Sequence, residues 1–379
     1  MERFYKPLIL LALMLGVLYY FNSNEADSEP EQAISKSEEV TRESSTLDVS
    51  KQPPVVNQNP SNQNSIQQVS PQDAASGDPC EDKLGEIESS VLNKIATETT
   101  PAERETLFTL TGWDWVSLQE LQGVSLANRS DWLNAVKEKQ LMLLREKIDD
   151  GASPLYLQQY LLECVTNDIP KYCQPDELER IALEDSDNIN VWILLIHYYN
   201  NRSDDGTIAE LIDSAANATV LENYTNEYIK SVYDELLSLT NSPAYSAGFA
   251  SSYRNWQIFG LESLQRVCSN TENVNCFQIG ENLERYGNQI ITKRTGILIQ
   301  LDYLTKTNQG ASIEIKKEQL AELDAQIEAY IKNFKMPYDD DMAYYMIEAL
   351  EIRDELQYYE KISQEAQRIL EEKPELCTW

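Results

Sequence analysis

From Cys80 to the C-terminus the apolar residues recur at spacings of three and four, and no stretch sustains the alternation that a half-buried strand requires. In IEIKKEQLAELDAQIEAYIKNF, Leu320, Leu323, Ile327, Tyr330, Ile331 and Phe334 fall on one helical face. In the next segment Met342, Tyr345, Ala349, Ile352, Leu356, Tyr359, Ile362, Ala366 and Ile369 continue a single stripe, with the acids Asp339, Asp340 and Asp341 at its N-terminal end. The sequence MPY separates the two, which predicts an antiparallel helical hairpin. Ser130, Ser153 with Pro154, and Pro175 announce further helix starts. The expected fold is all-α, roughly a dozen helices in antiparallel hairpins.

Six cysteines stand at 80, 164, 173, 268, 276 and 377. LLECVTNDIPKYC and QRVCSNTENVNC each run helix, cysteine, polar link, cysteine. Zinc would call for close ligand pairs or histidines, and His197 is the only histidine; a redox centre would call for C-x-x-C beside a βαβ pattern. Neither pattern occurs, so disulfides Cys164–Cys173 and Cys268–Cys276 are expected to clip two helix corners. In the chain-entropy model a loop of about ten residues stabilises the fold by roughly 2.5 to 3 kcal/mol. Cys80 and Cys377 remain, and joining them would tie the ends of the helical region together. Six cysteines allow 15 connectivities, so this third pairing is a nomination. The alternative is six buried free thiols in a reducing compartment.

Arg3 and Lys6 precede an uncharged apolar run from Pro7 to Phe21, and Glu25 and Asp27 follow it. This asymmetry predicts a short cytoplasmic N-terminus (1–6), a single membrane-spanning signal-anchor (7–21) and export of everything beyond. Fifteen helical residues cover only ~22 Å, so Phe4, Tyr5, Lys6 and the Tyr19/Tyr20 pair must help in crossing. A cleaved signal is the alternative, but no A-x-A-like site follows Phe21. Residues 22–79, rich in Ser, Gln, Asn and Pro, read as a disordered acidic tether with an r.m.s. reach of roughly 40 to 45 Å. Residues 80–379 read as the exported helical domain. The chain carries a net charge of −32; ten acids against three bases in the tether, and net +1 in the first 21 residues, leave −26 to that domain. Such a field repels phosphate backbones, so nucleic acid is not an expected partner.

One segment stands out in a search for repeats: DSDNINVWILLIHYYNNRSDDGTIAELIDSAANA. With Trp192, Leu195 and Tyr199 on its first helix and Ile212 and Ala215 on its second, it resembles a tetratricopeptide-type unit. It departs from that pattern at Ile196 and Ile208, where the family has small residues, and at Val220, where it has proline. The resemblance implies a solenoid-like array of hairpins that binds a protein or peptide.

Catalytic equipment is sparse. His197 lies in the apolar run WILLIHYYN and reads as a packed histidine, and no G-x-S-x-G, Walker or dinucleotide motif occurs. DSDNIN at 185–190 begins like a calcium loop but lacks the glycine, so a helix-capping turn is expected. Asp339 to Asp341 read as helix N-terminal charges. The pairs Tyr198/Tyr199, Tyr344/Tyr345 and Tyr358/Tyr359 are each expected to turn one ring inward and one partly outward. No catalytic residue, metal ligand or cofactor is nominated. The expected function is that of a membrane-tethered periplasmic scaffold, in the bacterial inner membrane, holding a protein or peptide partner. An exported cell-wall-acting hydrolase with an acidic cleft, and a structural spacer, are the alternatives. Asn128, Asn201, Asn217 and Asn223 stand in N-x-[ST] contexts and would carry glycans in a eukaryotic lumen.

Overall fold

The computed structural model describes residues 79–112, 126–167, 169–252, 259–333 and 335–378. The expected cytoplasmic N-terminus, anchor and tether (1–78) lie outside them. Among the described residues there are fifteen α-helices and no β-strand. They are α1 (Pro79–Glu98), α2 (Glu105–Thr111), α3 (Leu126–Asp149), α4 (Pro154–Asn167), α5 (Pro175–Ala182), α6 (Ile189–Asn200), α7 (Asp205–Asn217) and α8 (Thr225–Thr240). They continue as α9 (Pro243–Ser252), α10 (Leu261–Ser269), α11 (Val274–Tyr286), α12 (Ile290–Lys306), α13 (Gly310–Asn333), α14 (Asp340–Ala349) and α15 (Glu355–Glu372). Among these helices none is long and apolar enough to cross a membrane.

Local chemistry sets most of the starts. Proline opens α1, α4, α5 and α9, where a missing N–H costs nothing. Side chains of Asn188, Asp204, Asn273, Asp339 and Asp354 accept from the first-turn N–H groups of α6, α7, α11, α14 and α15. α3 begins at Leu126, upstream of the expected start at Ser130.

The helices enclose two hydrophobic cores. The first gathers α3 to α7 with α10, α11 and α12; the second gathers α1, α2, α8, α9, α14 and α15. The chain therefore visits the second core, the first, the second, the first and the second again. Tyr156 near the start of α4 packs against both. α6 runs through the middle of the first core, with α4, α5, α7 and α10 against it, and Ile189 to Ile196 are buried on every side. That placement buries Tyr198 and Tyr199 together, edge to face at 5.2 Å, instead of turning one outward. In the other two pairs Tyr344 is exposed beside a half-buried Tyr345, and Tyr358 is buried beside a half-buried Tyr359.

α11 and α12 cross where Gly280 meets Gly296: a Cβ on Gly296 would lie 2.6 Å from the Gly280 carbonyl oxygen. Only glycine permits this approach of backbones.

The C-terminal third differs from its expected form. The stripe from Met342 to Ile369 is two helices, broken at residues 350–354, because Asp354 turns its carboxylate onto Gln357 N and starts α15 afresh. α14 and α15 pack on each other, while α13 lies along α12, tied by Arg294–Asp324 at 2.8 Å. The hairpins are thus α12–α13 and α14–α15. The MPY link is extended and pairs with the tail, Tyr338 N donating to Cys377 O at 2.7 Å.

All six cysteines are paired: Cys164–Cys173, Cys268–Cys276 and Cys80–Cys377, with Cα atoms 5.3, 5.5 and 5.3 Å apart. The first two are sealed inside the first core. Around Cys173 the bend is held again by hydroxyls, Tyr198 donating to Cys173 O at 2.7 Å and Tyr160 to Tyr172 O at 2.6 Å. Burial pushes the Tyr160 phenol up to about 12, against the opposing field of Arg145, so this hydroxyl keeps its proton.

Candidate functional site: a polar cleft between the two cores

A cleft of about 560 Å³ opens where three chain links meet. The link into α8 brings Glu222 to Glu227, the α11–α12 link brings Asn288 and Gln289, and the α14–α15 link brings Leu350, Glu351, Arg353 and Glu355. The middle link belongs to the first core and the other two lead into helices of the second.

Asn188 positions the first wall. This fully buried residue caps α6 by accepting from Asn190 N at 3.1 Å. Its carboxamide also clasps the Glu222 backbone, accepting from Glu222 N at 3.1 Å and donating to Glu222 O at 2.8 Å. A second bond from the same amide reaches Asp185 at 2.8 Å, and Asp185 in turn accepts from the Tyr224 hydroxyl at 3.1 Å. The stretch DSDNIN is therefore a capping turn that also builds a cleft wall. Tyr224 caps α8 in the left-handed region, at φ 53°, which is strained for a bulky residue. Burial, and then the Asp185 carboxylate beside it, push its phenol far above the usual tyrosine value.

The other walls are locked to each other. Glu355 N donates to Asn288 O at 2.9 Å, and the Glu355 carboxylate accepts from Ile290 N at 2.7 Å. Lys293 binds Asp354 at 2.6 Å. Burial opposes ionisation of Asp354, but that ammonium and Gln357 N hold its carboxyl below the usual range. Asn226 donates to Leu350 O at 2.7 Å, and Gln289 reaches Thr225 Oγ1 at 3.3 Å.

At the rim stand Glu222, 3.6 Å from Arg353, and Glu227, which accepts from Ser153. Neither Glu227 nor Glu351 has a cationic partner among the described residues. At the floor a recess of about 10 Å³, sharing Asn223, Asn288 and Gln289 with the cleft, is lined by Asn190. Asn190 is 6% exposed, and its amide nitrogen has no hydrogen-bond partner.

Apart from Asn223 and the DSDNIN turn, the residues singled out from sequence lie elsewhere. Trp192, Leu195, Tyr199, Ile212 and Ala215 are buried on the α6–α7 hairpin, and no cysteine lines the cleft. His197 is half-buried, with Nδ1 2.8 Å from Ser263 Oγ and Nε2 3.1 Å from the Asn201 amide nitrogen. Each ring nitrogen thus has a hydrogen-bonding neighbour, one of them the hydroxyl of a buried serine. Asp339 caps α14 and pairs with Lys373 at 2.7 Å, with Asp341 beside it. Among the described residues no group of His, Cys, Asp and Glu is arranged to hold a metal ion. A smaller apolar groove of about 220 Å³ lies between α9, α14 and the Met336–Pro337 link.

The cleft residues carried one legible signal, clusters of Asn, Gln and Glu just ahead of helix starts in LENYTNE, YGNQI and IRDEL. Their convergence was not legible. No family model matches the chain, and no curated protein or solved structure does so either.

Proposed function

We propose that this chain is a non-catalytic binding module, tethered to the inner membrane by residues 7–21 and exported to the periplasm, that holds a segment of a partner protein in the cleft between its two cores. The observation that carries the reading is the cleft itself: a polar opening built from three distant links, each braced by the others. Support for an oxidising compartment comes from three disulfides with no free thiol among the described cysteines. The α6–α7 hairpin supports the tetratricopeptide-like part of the reading, as one helical pair in a larger packing.

The test is in vivo crosslinking followed by co-purification from solubilised membranes, using the full chain and a form lacking residues 80–379. A partner captured only by the full chain is expected, and its absence would sink the proposal. The hydrolase alternative has one observation in its favour, four glutamates around one cleft. Against it, Glu222 and Glu355 already accept from the Tyr224 and Ile290 N–H groups. Cell-wall lysis lost in Glu227→Gln would favour the hydrolase.

A further inference from the structure

We infer that the cleft receives an extended segment rich in lysine or arginine, its basic side chains on Glu227 and Glu351 and its main chain on the carboxamides of Asn288 and Asn190. This rests on the binding-module reading and names the class of segment bound.

Charge argues first. The cleft lining holds four glutamates and one arginine, in a domain of net charge −26. The helix N-termini that open onto it are occupied by the chain's own acceptors: Asn223 on Thr225 N, Glu355 on Ile290 N and Asp354 on Gln357 N. Each of these acceptors already takes up a first-turn N–H group, and the field at the rim repels a phosphate or carboxylate. Glu227 and Glu351 are exposed and lack cationic partners among the described residues, so a cation entering the cleft displaces no existing ion pair.

The floor argues independently. A buried donor without an acceptor is costly, and Asn190 Nδ2 is one. The recess it lines has room for about one oxygen-sized group, as in a carbonyl or a water. Asn288, half-buried in both the cleft and the recess, makes no side-chain hydrogen bond among the described residues. A carboxamide joins a donor and an acceptor at the spacing of a peptide unit, which an extended main chain satisfies in both directions. The cleft volume falls within the ~300–1,000 Å³ of sites that enclose a ligand.

The experiment uses the full chain in detergent and a fluorescein-labelled octapeptide alternating Lys and Ser, read by anisotropy. A Glu/Ser octapeptide and chitotriose serve as the acidic and glycan probes. Glu227→Gln/Glu351→Gln is expected to weaken the Lys/Ser peptide about tenfold. The equally charged control Glu318→Gln/Glu322→Gln on α13 should weaken it less than about twofold. Asn288→Ala, which alters no charge, should weaken it about threefold. Equal losses in the two double variants would reduce the binding to diffuse attraction and overturn the proposal. So would a Glu/Ser peptide that binds as tightly, chitotriose that displaces the Lys/Ser peptide, or no binding at all. If the partner captured in vivo persists in the Glu227→Gln/Glu351→Gln chain, this inference fails while the binding-module reading stands; if no partner is captured by any form, that reading fails.

Discussion

The first core carries two disulfides that span 9 and 8 residues, whereas the second is closed by one that spans 297. The first is assembled from two continuous stretches, α3 to α7 and α10 to α12. The second is assembled from three such stretches together with Leu155 of α4, and it draws α1 and α15 from opposite ends of the domain. Short clips brace corners that local sequence already forms; a long one restrains an encounter that nothing local encodes. In the chain-entropy model the restraint grows with the loop, from roughly 2.5 to 3 kcal/mol for the clips to about 5 to 6 for the terminal bond.

The largest expected effect tests that contrast. Cys80→Ser/Cys377→Ser should lower the unfolding free energy by up to about 5 kcal/mol, and Cys164→Ser/Cys173→Ser by about 3, in urea denaturation of the oxidised chain. Equal losses would show that the second core is held by packing alone, and would break the comparison. Next comes the ion pair between α3 and α4 in the first core. Lys137 meets Glu163 at 2.7 Å, and Glu163 is buried with Gln159 and Asn167 also donating to it. Lys137→Ala strands that carboxylate and should cost about 3 kcal/mol, whereas Lys137→Met/Glu163→Leu should cost much less. A double-mutant cycle showing no coupling would contradict this.

A smaller loss is expected at the glycine crossing that sets the α11–α12 link. Gly296→Ala places a methyl 2.7 Å from Glu284 N as well as against the Gly280 carbonyl, and should cost about 1 to 3 kcal/mol. It should also shift Asn288, so peptide affinity is expected to fall more than for a surface Gly310→Ala. The smallest effect is a pH dependence confined to the first core. Burial lowers the His197 pKa below its ordinary 6.5, with Glu262 opposing and Arg266 adding to the fall. The unfolded chain then binds the proton first, so stability is full above about pH 6.5 and declines as pH falls from there to the folded pKa. The acid-side losses from Asp354 and Asp339, whose carboxyls sit below their ordinary 3.8, come at lower pH. Subtracting the His197→Gln profile isolates the limb; identical profiles on the acid side of about pH 6.5 would refute it.

Helix content, proline and Asx starts and the two short cysteine pairs were legible because each depends on residues within about one or two turns. The stripe from Met342 to Ile369 misled for the same reason. A 3.6-residue period survives a tight break that keeps its phase, and only Asp354 turning onto Gln357 N marks where the second helix starts. The tyrosine pair at 198 and 199 misled because an amphipathic pattern assumes one solvent face, and α6 has none at those positions.

What the sequence determined alone was that the domain is helical, where proline and Asx residues start helices, and the local clips, since those free energies reside in neighbouring residues. Which helices share a core, that α13 pairs with α12, and that Glu222–Glu227, Asn288–Gln289 and Leu350–Glu355 enclose one cleft were decided only by tertiary packing. An apolar stripe records that a face must leave water; burial is non-directional, and so the stripe cannot record which partner will cover it.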